Sequence, residues 1–272
     1  MPGRERRRKN GLTGHPIPGF HAVCEALSGG TVRVLEVWIA GEGSSERAKM
    51  VRELAGAGKV PVRLGAGEEL DRRLPGVAHQ GFAALVGAPA YRDLDDFLKG
   101  LQGRAGRRLM IAADHITDEG NLGALIRTAA FFGAEALILP RDRSAQLSER
   151  VAKRSAGASL SLPVCRVVNL ARALDRMDRE GFWIIGAAGE AGTEVYAFDW
   201  DRDTLLVVGR EDRGLTPNIR SRCHELVAVP GSGRVESLNV AVAAGAILSE
   251  INRQGRRREG ENAPGRPRRP GP

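Results

Sequence analysis

LLVVGREDRGL (residues 205–215) and ELVAVPGSGRVESLNVAVAAG (residues 225–245) decide how this chain is read. In each, a short apolar run of strand character passes straight into a glycine-rich turn. The second turn leads into a helical pattern, about 238–252, that opens on Ser237, Leu238 and Asn239. Glycine has no side chain to hold a ligand away and tolerates positive φ, so glycine turns at strand ends let a small molecule reach the backbone. Two such turns close together point to one composite pocket, with Glu211, Ser237 and Asn239 supplying polar groups.

Upstream, strand-like and helix-like runs alternate. Residues 109–113, 136–139 and 182–187 read as buried strands. Residues 94–101, 121–132, 148–154 and 170–180 read as helices. This alternation argues for an α/β fold with a mostly parallel sheet covered on both faces. Open sheets of this kind bind ligands at the carboxyl ends of their strands. A smaller α/β unit precedes it, with helices at 21–27, 45–57 and 68–73 and strands at 34–40, 60–64 and 81–86. The resulting division is a basic leader (1–14), a first unit (15–87), a hinge (88–92), a main unit (93–254) and a tail rich in Arg, Pro and Gly (255–272) that composition marks as disordered.

The net charge of +8 is concentrated at the ends. Residues 1–9 carry +4 and residues 253–272 carry +5, leaving the body at −1. Basic tails suit contact with a polyanion such as RNA through counterion release, and equally suit solvated ends. No apolar run approaches the roughly 18 residues of a membrane span. Three cysteines, Cys24, Cys165 and Cys223, stand far apart, which favours a reduced cytoplasmic setting over a disulfide frame. The five histidines lack metal-ligand spacing. Neither a phosphate-binding P-loop nor a G-x-S-x-G elbow occurs, so metal-free chemistry is expected.

DHITDEGNLGALIR (residues 114–127) adds two candidates. Asn121 stands where a helix should begin and reads on its own as an N-cap. Arg127 is a lone cation in an apolar helix. It either snorkels to solvent or reaches an anion. Ser237 likewise reads singly as the N-cap of the last helix, and Glu211 as an acid favouring a helix N-terminus.

Taken in order and spacing, residues 114–134, 207–215 and 227–245 resemble the three signature motifs of the SpoU-type branch of the SPOUT RNA methyltransferases. The resemblance spans about 109–253. FHAVCEAL and AHQGFAALV in the first unit resemble the substrate-binding domain of ribosomal-RNA members. It implies a trefoil knot in the C-terminal part, which base rates for folds would otherwise oppose. It also implies a ribosomal-protein-like RNA-binding first unit, a homodimer, and S-adenosylmethionine bound by the loops 187–189, 209–215 and 229–238. Cofactor contacts are then expected at Ala187, Gly189, Gly209, Gly214, Val229 and Leu238. The polar catalytic set would be Asn121, Arg127, Glu211, Ser237 and Asn239. The implied reaction is methylation of a ribose 2′-hydroxyl, foremost of a guanosine in large-subunit (23S) ribosomal RNA. Transfer RNA, an adenosine target, or a silent RNA-binding assembly factor are the alternatives.

Overall fold

The computed structural model describes residues 14–29, 32–87, 91–103, 106–210, 212–235 and 237–262. The strands divide into two sheets. The first holds β1 (His15–Pro18), β2 (Val34–Ala40), β3 (Val62–Gly65) and β4 (Phe82–Val86) in the order β1-β4-β2-β3. β1 and β2 run antiparallel to β4, and β3 runs parallel to β2. Helices α1 (Phe20–Gly29) and α2 (Glu46–Ala57) bury Phe20, Val23 and Val51 against Val37 and Phe82. α3 (Gly67–Arg73) places Leu70 with Trp38 and Ala83. Ser45 starts α2 as sequence suggests, its hydroxyl accepting from the Ala48 amide at 3.2 Å.

The second sheet is parallel at every pairing. Its strands are β5 (Leu109–Ala113), β6 (Ala136–Pro140), β7 (Val164–Val167), β8 (Trp183–Ala187), β9 (Thr193–Glu194), β10 (Thr204–Val208) and β11 (Glu225–Ala228), ordered β7-β6-β5-β10-β8-β11-β9. Successive strand side chains point to opposite faces. Accordingly Leu206 and Val208 enter one core, and Leu205 and Val207 the other. The first core is closed by α5 (Glu119–Phe131) and α9 (Val240–Asn262), through Leu122, Ile126 and Ile247. The second is closed by α4 (Leu94–Leu101) and α7 (Leu170–Arg179), through Leu98 and Leu174. The short helices α6 (Glu149–Arg154) and α8 (Pro217–Arg220) and a 3-10 turn at Ala158–Leu160 complete the described elements.

Several expectations need correction. α5 begins two residues early, and its N-cap is Asp118, whose carboxylate accepts the Asn121 amide at 2.8 Å. α9 begins at Val240 and runs to Asn262, so residues 255–262, assigned by composition to the tail, are helical. Its start is capped by Asn239 rather than Ser237: the Asn239 side-chain oxygen accepts the amide of Ala241 at 3.0 Å. The strands β1, β7 and β9 and the helix α8 were not anticipated. At the expected hinge, Arg92 already pairs with the edge of the second sheet, its amide donating to the Val164 carbonyl at 2.9 Å. The extremes of the leader and tail (1–13, 263–272) and hinge residues 88–90 lie outside the described residues. Among the described residues no helix is long and apolar enough to cross a membrane.

Candidate active site

Because the second sheet is parallel, all its strands deliver their following loops to one edge. The loops after β8, β10 and β11, which are neighbours in the sheet, enclose a cavity of about 880 Å³. Its wall includes Ala187, Gly189, Gly209, Gly214, Val229 and Leu238, the six positions expected to hold a cofactor. Ser237 also faces it. The size suits a nucleoside-sized ligand within the roughly 300–1,000 Å³ of small-molecule sites.

The loop after β10 owes its shape to Gly209. A Cβ there would stand 2.3 Å from the carbonyl carbon and oxygen of Gly214 and 2.6 Å from the Leu215 nitrogen. Only glycine lets the chain fold back this closely. The fold-back is locked by two backbone hydrogen bonds, from the Arg210 amide to the Gly214 carbonyl at 3.0 Å and from the Gly214 amide to the Arg210 carbonyl at 2.8 Å. Arg210 also grips Asp212 with two charge-assisted hydrogen bonds, 2.8 and 2.6 Å long. These hold the Asp212 carboxyl below its ordinary range and raise the guanidinium of Arg210.

Two groups that sequence reasoning passed over brace the loops from outside. Asp114, fully buried at the end of β5, accepts the Thr216 amide at 2.7 Å and contacts the His115 ring. An acid directly ending the apolar run LMIAA was the available signal, since buried carboxylates are kept only where they are hydrogen-bonded. Arg220 on α8 pairs with Glu190 in the loop after β8. That hydrogen bond holds the Glu190 carboxyl below its ordinary range. Both residues line the cavity, so the pair ties two of its walls together.

The polar set divides. Asn239 donates from Nδ2 to the Asn121 side-chain oxygen at 2.9 Å while its own oxygen caps α9. One residue thus sets the start of α9 and pins the loop 229–239 to the start of α5. Asn121, Ser237 and Asn239 therefore gather beside the cavity, although only Ser237 is on its wall. Arg127 does not join them. It is exposed, makes no hydrogen bond or ion pair among the described residues, and faces a second, smaller depression. Glu211 lies outside the described residues. Among the described residues no group of three or more His, Cys, Asp or Glu could hold a metal ion.

Comparison with known proteins bears on the family of the chain. A family model described as the SpoU rRNA Methylase family matches residues 108–249, and one described as RNA 2′-O ribose methyltransferase substrate binding matches residues 16–92. The 23S rRNA (guanosine-2′-O-)-methyltransferase RlmB of Pseudomonas aeruginosa is 40% identical over 239 residues, covering 88% of this chain and 96% of its own. RlmB of Photobacterium profundum is 37% identical, over 88% of this chain and 97% of its own. Among solved structures, the SpoU methyltransferase AviRb of Streptomyces viridochromogenes, crystallised with the cofactor AdoMet, superimposes with a TM-score of 0.65 at 29% identity, covering 89% of this chain and 90% of that one. The motif loops, the cavity they form and these matches lead to one conclusion: the chain belongs to the SpoU rRNA methylase family.

Proposed function

We propose that this protein transfers a methyl group from S-adenosylmethionine to the ribose 2′-hydroxyl of a guanosine in large-subunit (23S) ribosomal RNA, in the cytoplasm. The observation that carries this reading is the glycine-walled cavity of about 880 Å³ formed by the three motif loops, in a chain 40% identical to an RlmB. The residues present fit the cofactor. A backbone cradle that a Cβ at Gly209 would obstruct, closed by Val229 and Leu238, suits an adenosine moiety held through main-chain groups. When bound there, the cofactor supplies a methyl group made electrophilic by its sulfonium.

The protein's part is positioning and electrostatics. Arg127 serves as a fixed cation and hydrogen-bond donor rather than as a base. It holds a phosphate of the target nucleotide and stabilises charge developing on the 2′-oxygen. Asn239 and Asn121 order the loop that carries Ser237 and Leu238. Glu211, contributed by a second copy, orients Arg127. Because Arg127 faces away from the cavity of its own chain, the complete site needs a second copy, and we take the enzyme to be a homodimer. The half-exposed apolar side chains Leu238 (48%) and Val242 (56%), around the start of α9, support such a pairing. We further take the insertion of β10 between β5 and β8 to accompany a knotted threading of the C-terminal part.

The test is to incubate the purified protein with unmodified large-subunit ribosomal RNA and S-adenosylmethionine and map ribose methylation nucleotide by nucleotide. One new 2′-O-methylguanosine is expected, absent with Arg127→Ala while cofactor affinity is unchanged. Methylation only on transfer RNA or at an adenosine would replace the substrate. No methylation on any RNA or precursor particle would overturn the enzyme reading. Near wild-type turnover by Arg127→Ala would overturn the role of the arginine.

A further inference from the structure

The depression that Arg127 faces is built from both units of the chain. Along α5, Glu119, Gly123, Arg127 and Phe131 recur every four residues and so share one face. α6 packs along that face. The Arg150 Nε lies 3.9 Å from Glu119, and a Cβ at Gly123 would stand 2.5 Å from the Arg154 Cβ. Gly123 thereby lets Arg154 sit one helical turn from Arg127. Neither guanidinium has an acidic partner among the described residues. α6 ends at Arg154, and the turn that follows it leaves a space of about 290 Å³ beside Arg127. Its wall includes Arg127, Phe131, the turn at Ala156 and Gly157, and Ala22 and Glu25 of α1.

Two of these groups have no structural employment. Phe131 is 82% exposed although it is wholly apolar. Its one aromatic neighbour among the described residues is Phe132, edge-on at 5.0 Å, and the ring stays largely exposed. Glu25 is exposed and makes no ion pair or hydrogen bond among the described residues. Arg127 and Glu25 share the depression without pairing with each other, which leaves a cation, an aromatic face and a carboxylate around one cleft.

We propose that this cleft reads the target base as guanine: the base stacks on Phe131, its Watson–Crick edge donates to Glu25, and Arg127 and Arg154 hold the flanking phosphates. Guanine presents two adjacent donors, N1–H and the N2 amino group, which match the two oxygens of a carboxylate. Adenine presents an acceptor at N1 beside its N6 amino group, and its N1 lone pair would face the carboxylate unpaired. An unstacked base held on an aromatic ring and read at its edge is the general mode for single RNA sites. The cleft volume suits one base and is too small to duplicate the cofactor cavity. The inference rests on the methyltransferase reading only in taking the bound nucleotide to be the reaction's target. It also gives the first unit a direct part in choosing the base, through Glu25.

The test measures binding to the full chain of guanosine 5′-monophosphate and adenosine 5′-monophosphate by saturation-transfer NMR and calorimetry, without cofactor. The guanine nucleotide is expected to bind about tenfold tighter, as one bidentate edge contact provides. Glu25→Gln, which presents one acceptor and one donor, abolishes or inverts that preference. Phe131→Ala weakens both nucleotides by about tenfold, as loss of a stacking face does. Both side chains are exposed, so neither change endangers folding. Equal binding of the two nucleotides by the unaltered protein, or a preference untouched by Glu25→Gln, would overturn the inference. So would a Phe131→Ala protein whose sedimentation changes while its nucleotide affinity does not, which would make the ring a subunit contact. A parallel titration with S-adenosylmethionine separates the two readings. Its failure beside an intact guanine preference removes the methyltransferase assignment and leaves the cleft standing.

Discussion

Replacing Gly209 by alanine isolates the backbone cradle from every side chain of the site. The added Cβ would meet the Gly214 carbonyl at 2.3 Å and the Leu215 nitrogen at 2.6 Å, both main-chain atoms that cannot rotate away. Reaching ordinary van der Waals separation requires a displacement of roughly 1 Å. The two hydrogen bonds between Arg210 and Gly214 then open, at about 1 kcal/mol each. Overpacking of this kind costs about 1–3 kcal/mol in stability, which lowers the melting temperature by about 2–10 °C. On the proposed placement of the cofactor the same shift is felt directly, because Gly209, Arg210 and Asp212 to Leu215 line the cavity, and a misplacement of about 1 Å costs on the order of a hundredfold. Calorimetry with S-adenosylmethionine, beside thermal denaturation by circular dichroism, measures both effects. The control is Gly192→Ala, in the loop after β8, where a Cβ meets nothing within 4 Å; its affinity should stay within about twofold of the unaltered protein. If Gly209→Ala binds cofactor as well as this control does, the close approach is not what shapes the pocket, and the argument fails.

Asn239→Ala removes both an N-cap and the link to Asn121, so it should cost about 1 kcal/mol or more, while Asn121→Ala removes only the link. A double-mutant cycle on melting temperature should return a favourable coupling, and additivity would show that the 2.9 Å contact contributes nothing. Burial pushes the thiols of Cys165 and Cys223 up to about 12, so both should resist iodoacetamide at pH 8 until the protein is unfolded; rapid alkylation of either in the folded state would contradict their placement. Glu250 accepts from Arg253 and Gln254, and the Arg253 hydrogen bonds lead in holding its carboxyl below the ordinary range. A lowered folded-state value stabilises above the unfolded value of about 4.3 and is lost as pH falls through the folded value. The melting temperature of Glu250→Gln should therefore lie below that of the unaltered protein at pH 7 and converge with it below about pH 4. A constant gap across that range would refute the assignment.

The strands closest to what sequence suggested are Leu109–Ala113, an unbroken apolar run, and Val34–Ala40, apolar except for Glu36; both lie inside their sheets. His15–Pro18 escaped because two prolines mask it; it is an edge strand, where a missing amide does no harm. Val164–Val167 and Thr193–Glu194 are the other sheet's edges, too short to show a period. The last helix was cut short at 252 because the polar run after it reads as disorder. Contacts far away in the chain hold its continuation: Gln254 donates to the Phe198 carbonyl and accepts from the Trp200 amide, and Gly255 lets Arg107 approach. The glycine loops were legible because each ends an apolar strand. The division of the polar set was not, since spacing along α5 places Asn121 and Arg127 on one helix without saying that Asn121 joins Asn239 while Arg127 faces the second depression.

The place of β10 also bears on how the protein is made. It lies between β5 and β8, although β8 precedes it in the chain, and the cavity is walled by loops that follow β8, β10 and β11. During vectorial synthesis the central seam of the sheet must stay open until β10 emerges. No cofactor wall is complete until residues 229–239 have followed and Asn239 has reached Asn121. A chain arrested after Ala228 would carry two of the three loops and an uncovered α5. Such long-range parallel pairing folds slowly. On the proposed placement of the cofactor, affinity for S-adenosylmethionine is therefore gained only late in synthesis.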